Sequence, residues 1–457
     1  MTGPVVQSPS PPRARRASAA DTARFAAEVG LPFVAAGAIA RRRRVMGLLE
    51  RTQADARIVG TVARLRDRYG DAPLTLALPG RTLAVVLSPQ DVDAVLRTDA
   101  GSYTAATVEK RAALGPFQPH GVLVSRTPLR ERRRAVNEAA LDTDRDLHRL
   151  ATPMLHTIEE EANGLLRRAR AEGGLSAAEF TRCWWRLVRR LVLGDAARDD
   201  DTLTDQLWRL RSDGNWAYAH PVRHRLRDRF TERLHGYVER APAGTLAGAL
   251  GEIAEPAAVD PQGQIPHWLF AFDAAGMVTA RTLAVLATHP EQRARARSDI
   301  AAAGLGSPAP LEYLRGCVLD TTRLWPTTPA ILRDSTADTT WGDERGSYPI
   351  PSGTGFVVLA PAFHRDRETL PFADRFAPEI WLDGRADRYP ALVPFSVGPA
   401  GCPGRNLVLF VTSTLLAHLL AGAEFTLTSR LTPDPARPLP ATLNNFGLQF
   451  AVRSPAG

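Results

Sequence analysis

The residues best suited to chemistry lie in one short stretch, Pro394-Phe395-Ser396-Val397-Gly398-Pro399-Ala400-Gly401-Cys402-Pro403-Gly404. A long apolar run follows and closes at Gly422. Proline suits a first helical turn and glycine the position just past a last one, so the pattern puts Cys402 at a helix N-terminus. Unpaired backbone N–H groups and the positive end of the helix dipole favour a thiolate there. Gly398, Gly401 and Gly404 let the backbone lie flat against a large planar ligand. The chemistry on offer is a sulfur ligand for iron. The alternative is a buried free cysteine ahead of a core helix.

Spacing decides between the two. In a chain of this composition, Phe-x-x-Gly-x-x-x-Cys-x-Gly is expected by chance on the order of 10⁻³ times. The stretch resembles the haem-ligand loop of the cytochrome P-450 family, the haem-thiolate monooxygenases. The resemblance implies haem b as cofactor, Cys402 as its axial ligand, and Phe395, Gly398 and Gly404 around it. Thiolate electron density then favours O–O cleavage, an effect for which this family is the standing example. One position departs: the basic residue the family usually carries two before the cysteine is Ala400.

A second stretch must face that loop. Trp268, Phe272, Ala275, Thr279, Leu283 and Leu286 recur at three- and four-residue steps, which makes one helical face. Gly276 costs about 1 kcal/mol against alanine inside a helix, and a locally opened helix beside a ligand would compensate. In the family this helix crosses the haem. The resemblance implies that Thr279 helps deliver protons during oxygen activation and that Ala275 borders the haem. A threonine bonded to a carbonyl one turn back is the plain alternative. The acid usual before that threonine is Val278, so the acid–alcohol pair is incomplete.

Asp320 and Arg323 stand three apart and can pair on one helix face. As a bare pair this is a surface feature worth little. By position it looks like the family's Glu-x-x-Arg helix with a shortened acid. Its third partner, an arginine after Pro-Glu, is missing, because Pro378-Glu379 leads into Ile380-Trp381; Arg375 is a possible stand-in. Arg333 and Arg133 match the family's propionate anchors, as a forked donor suits a carboxylate. Arg130, Arg132 and Arg134 read as a solvated face. The pocket walls implied are Phe117, His120, Trp216, Trp268, Phe272, Ile331 and Phe446, which suit a medium-sized, mostly apolar natural product.

The elements around these motifs read as mainly α with small β-sheets, the cytochrome P-450 fold. Leu74 to Leu78 and Leu83 to Leu87 flank Pro79-Gly80-Arg81 as a hairpin, and Ser88-Pro89 caps a helix. Helices follow near 129–140, 144–170, 176–194, 201–211 and 222–240. A proline- and serine-rich leader over 1–20 reads as disordered, and one domain spans 30–455. The net charge of +8 is carried by arginine, with Lys110 the single lysine. No aromatic-interleaved basic motif accompanies that charge, so nucleic acid is not expected. Three widely spaced cysteines argue against a disulfide framework or a structural zinc site. No apolar run reaches the length of a membrane span, so a soluble, cytoplasmic monomer of secondary metabolism is expected. With no phosphate loop, hydrolase elbow or fused redox module, the electrons must come from a separate ferredoxin and reductase. A peroxide-driven enzyme or isomerase, or a haem-binding protein without turnover, are the other readings.

Overall fold

The computed structural model describes residues 14–98 and 101–455. The first thirteen residues of the expected leader lie outside them. From there on the chain is tied down: Arg15 pairs with Asp343, Arg16 bridges to Thr75, and Ser18 caps a helix over Ala19–Phe25.

The apolar pattern separates two cores. In the first, strands Leu74–Leu78 and Arg81–Val85 form the expected hairpin, with Leu74 opposite Val85. Arg81–Val85 runs parallel to Gly355–Leu359, which pairs antiparallel with Ala330–Ser335, and Tyr103–Thr104 closes the edge. Leu74, Leu76, Val85 and Phe356 are fully buried on this five-stranded sheet. Ser88 accepts from Asp91 N at 3.0 Å and caps the Pro89–Arg97 helix, a contact worth about 1 kcal/mol.

The larger core is helical. It gathers Leu129–Leu141, Ala151–Glu172, Ala177–Leu193, Asp201–Gly214, Glu312–Leu324 and two very apolar helices, Ile265–Thr288 (the central helix) and Arg405–Gly422 (the cysteine helix). By length and composition these last two could cross a membrane, which corrects the sequence expectation. Asp273 and Arg281 interrupt the apolar run of the first without making it polar. Within the fold, 78% and 72% of their apolar windows are buried, as befits core helices. Smaller sheets at Gly174–Ser176, Glu424–Leu427 and Gln449–Arg453, and at Thr339–Asp343 with Gly346–Ile350, close the periphery.

The cysteine loop sits where the two cores meet. Phe395 packs on the helical core and Val397 on the sheet core, so the loop is fixed from both sides.

Candidate active site

Loop geometry comes first. Cys402 N donates to Phe395 O at 2.9 Å and Gly401 N to Gly398 O at 2.8 Å, folding the stretch into a tight bend. Gly398 takes φ +66°, and a Cβ there would lie 2.2 Å from Leu96 O, so only glycine fits. At Gly404 the reverse holds: a Cβ would meet no protein atom closer than Leu141 Cδ1 at 3.7 Å. Gly404 is buried there in ordinary contact with the Leu129–Leu141 helix. Behind the loop stands the Leu129–Leu141 helix. Arg130 donates to Pro399 O at 2.9 Å, Arg134 to Gly401 O, and Thr143 Oγ1 to Pro403 O at 2.8 Å.

Burial pushes the Cys402 thiol above its ordinary range, against the opposing pull of Gly404 N–H, Arg134 and Arg405. Desolvation therefore outweighs the helix terminus, and the thiolate expected from sequence needs a cation bound to it.

Beside the loop lies a cavity of about 480 Å³ reaching Pro399 and Ala400. Arg130 and Arg333 line it, and among the described residues neither has a carboxylate partner. Arg333 donates to Leu332 O at 3.0 Å, and Lys110 Nζ donates to the same oxygen at 3.2 Å. Arg130 Nε is buried and unpartnered. Burial and Arg130 hold Arg333 down to about 10; burial and Arg333 hold Lys110 down to about 7. Asp334 and Glu109, the nearby acids, are both taken by Arg81. Three crowded cations with an orphaned donor call for an added dianion, which is what two propionates would supply. The residues fit a haem.

Arg333, one of the two expected propionate anchors, lines this cavity. Arg133, the other, does not line it: its guanidinium donates to Val259 O, Ala258 O and Ser125 Oγ and ties a loop. Residues four apart share a helix face, so Arg130 and Arg134 face the loop together while Arg133 points away. Arg130 therefore leaves the solvated face assigned to it. Only Arg132, paired with Glu255, is a surface residue.

The central helix brings Thr279 into the interior, fully buried, with Oγ1 donating to Ala275 O at 2.8 Å. Gly276 does not mark an opened helix, since the helix runs unbroken. Instead a Cβ on Gly276 would strike the Trp184 indole at 2.6 Å, and Trp184 Nε1 donates to Phe272 O at 2.8 Å. An indole packed against the helix accounts for the glycine.

Of the expected pocket walls, Phe117 and Ile331 are buried beside the site's elements. Trp268 and Phe272 are packed into the core, with Trp268 Nε1 donating to Asn137 Oδ1 at 2.7 Å; the face they share is filled by protein. The stripe left half-exposed is His267, Phe270, Ala271 and Ala274, one residue round the helix. Trp216 is 53% exposed under Arg42, and His120 is exposed with Nδ1 2.7 Å from Asp260, so both lie at the surface. Phe446 is half-buried against Arg43.

The Asp320–Arg323 pair is no surface feature: both side chains are 0% exposed. Arg323 grips Asp320 at 2.6 and 3.1 Å and reaches the carbonyls of His364, Ala373 and Arg375. Asp320 also accepts from Ala377 N at 2.8 Å and Trp381 Nε1 at 3.2 Å. Trp381 is the third side-chain partner, and Arg375 offers only its backbone. His364 Nε2 accepts from Val393 N at 3.0 Å while Nδ1 lies 3.2 Å from Arg323 O; burial pushes this imidazole down to about 3.

Comparison with known proteins agrees. The family model described as Cytochrome P450 matches residues 271–445, from the central helix through the cysteine loop. Over that stretch the chain carries a cytochrome P450 domain. It is 34% identical over 170 residues to cyclooctat-9-en-7-ol 5-monooxygenase of Streptomyces melanosporofaciens, covering 34% of this chain and 36% of that protein. It is 33% identical over 183 residues to cytochrome P450 monooxygenase ABA2 of Pyricularia oryzae (strain Y34), covering 36% and 43%. The matched stretch thus spans well under half of either relative. The crystal structure of the cytochrome P450DA heme domain superposes at TM-score 0.69 with 18% identity, over 88% of this chain and 93% of that one, a likeness of fold.

Proposed function

We propose that this protein is a haem-thiolate monooxygenase that inserts one atom of dioxygen into a medium-sized, mostly apolar natural product, with electrons from a separate ferredoxin and reductase. The observation that carries this is Cys402, held in a tight bend whose Pro399 and Ala400 border a cavity lined by Arg130 and Arg333, with Lys110 beside Arg333 and no carboxylate bonded to the three among the described residues. Cys402 would hold the iron of haem b, and Arg333, Arg130 and Lys110 its propionates. Bound there, the haem supplies oxygen activation. The chain's own residues orient and enclose. Thr279 keeps its hydroxyl proton on Ala275 O and must turn from it to donate elsewhere. Buried Val278 and Met277 keep water from its flanks. The monooxygenase names of the two relatives support the same reading. Absorption of the dithionite-reduced protein under carbon monoxide tests it. A strongly red-shifted Soret band, lost in Cys402→Ser, is expected; a band typical of histidine-ligated haem overturns it.

One observation favours a second reading. With Val278 in the acid's place and Thr279 bonded within its own helix, the proton relay lacks a carboxylate at that position. A peroxide-driven enzyme needs no such relay. Turnover with hydrogen peroxide that gains nothing from ferredoxin and NAD(P)H would select it.

A further inference from the structure

The central helix is enclosed, and burial pushes the His267 ring down to about 4. Yet His267, Phe270, Ala271 and Ala274 keep partial exposure at helical spacing. On that stripe the protein does not cover the helix completely.

At one end the stripe turns polar. His267 Nδ1 lies 3.0 Å from Gln118 Oε1 and holds the carbonyl end of the amide. Gln118 is 1% exposed, and its Nε2 has no hydrogen-bond partner among the described residues. One turn along, the Phe270 ring meets His267 at 5.8 Å, Phe117 at 6.2 Å and the Arg211 guanidinium at 4.7 Å. Arg211 is buried and donates through one terminal nitrogen to Asp273 Oδ2 and Ile39 O, while its Nε is unpartnered. One orphaned donor thus stands at His267 and the other at Phe270, one turn apart along the stripe. A purely apolar ligand would leave both unmade, whereas a carboxylate has lone pairs for each. The local charge has the matching sign. Lys110 acts on His267, and the one acid in the cluster, Asp273, is already bound to Arg211.

Building on the monooxygenase reading above, we propose that Gln118 Nε2 and Arg211 Nε form a carboxylate-binding subsite, so that the substrate is an apolar molecule ending in a carboxylate. This narrows the apolar class expected from sequence to acids.

Binding of decanoate, decanol and decylamine to the haem-loaded protein, followed by calorimetry, tests the subsite. Decanoate is expected to bind about tenfold tighter than decanol, the difference made by one charge-assisted hydrogen bond. Gln118→Glu keeps the side-chain shape, removes the N–H donor and adds a negative charge; decanoate should weaken about tenfold while decylamine gains. A variant that had merely lost its fold would gain nothing, and a carboxylate held instead by Arg333 and Arg130 would ignore the change. Decanoate binding no tighter than decanol, no binding at all, or a preference untouched by Gln118→Glu overturns the subsite. The carbon monoxide spectrum separates the two proposals: a red-shifted band without acid preference removes the subsite alone, and its absence removes the monooxygenase reading.

Discussion

Replacing Asp320 with alanine tests whether the buried pair organises the segment leading to the cysteine loop. The Asp320 carboxylate takes two bonds from Arg323 and one each from Ala377 N and Trp381 Nε1. Alanine removes every acceptor and leaves a guanidinium of 0% exposure facing three carbonyls and no anion. Truncating one partner of a buried ion pair costs about 3–5 kcal/mol. At ~2.1 cal/mol/K per residue, a chain of 457 residues unfolds with an entropy near ~1 kcal/mol/K, so the melting temperature should fall by about 3–5 °C. Trp381→Phe removes a single donor and should cost about 1–2 kcal/mol. Far-UV circular dichroism against temperature and urea reads both. Arg323→Met and the double variant complete a cycle whose coupling should exceed about 1 kcal/mol, because the second truncation removes an already orphaned charge. Additive losses, or a melting temperature for Asp320→Ala within about 1 °C of the parent, would refute the reasoning.

Lys110 provides a pH signature. Its folded value of about 7 lies below the ordinary 10.5, so between these values the unfolded chain binds the extra proton, and stability rises with pH. In the haem-free protein, the urea midpoint relative to Lys110→Met should therefore climb from neutral pH toward pH 10; loading haem should flatten the climb by giving the ammonium a propionate, and a difference flat in both states would contradict the assignment. Gly276→Ala should destabilise by about 1–3 kcal/mol through overpacking and shift tryptophan fluorescence, since the new Cβ would displace the Trp184 indole; an unchanged melting curve and spectrum would say the glycine serves another end. Thr279→Ala should lower product formed per NAD(P)H consumed and raise hydrogen peroxide, with unchanged coupling removing Thr279 from proton delivery.

What could be read from sequence was whatever depends on local order along the chain. The cysteine loop, the Leu74–Val85 hairpin, the Ser88 cap and the helix carrying Thr279 are each written within about a dozen residues. What escaped depends on which side of a helix meets which neighbour. The alternation of Arg130 to Arg134 carried two answers, and only the packing of their helix against the cysteine loop chose Arg130 and Arg134 over Arg133. The face of Trp268 and Phe272 looked like a pocket wall because it is aromatic. An indole N–H buried in a core needs an acceptor, and Asn137, more than a hundred residues away, supplies it, so that face closed against protein. The same logic hid Trp381, read as a missing arginine although its N–H reaches the carboxylate the arginine would have served. Lys110 was the one clue available beforehand. Arginine stays charged under any burial, whereas a lysine can give up its proton where no anion is at hand and take it back when one arrives. The single lysine of this chain stands next to Arg333 at the place where such an anion would come and go.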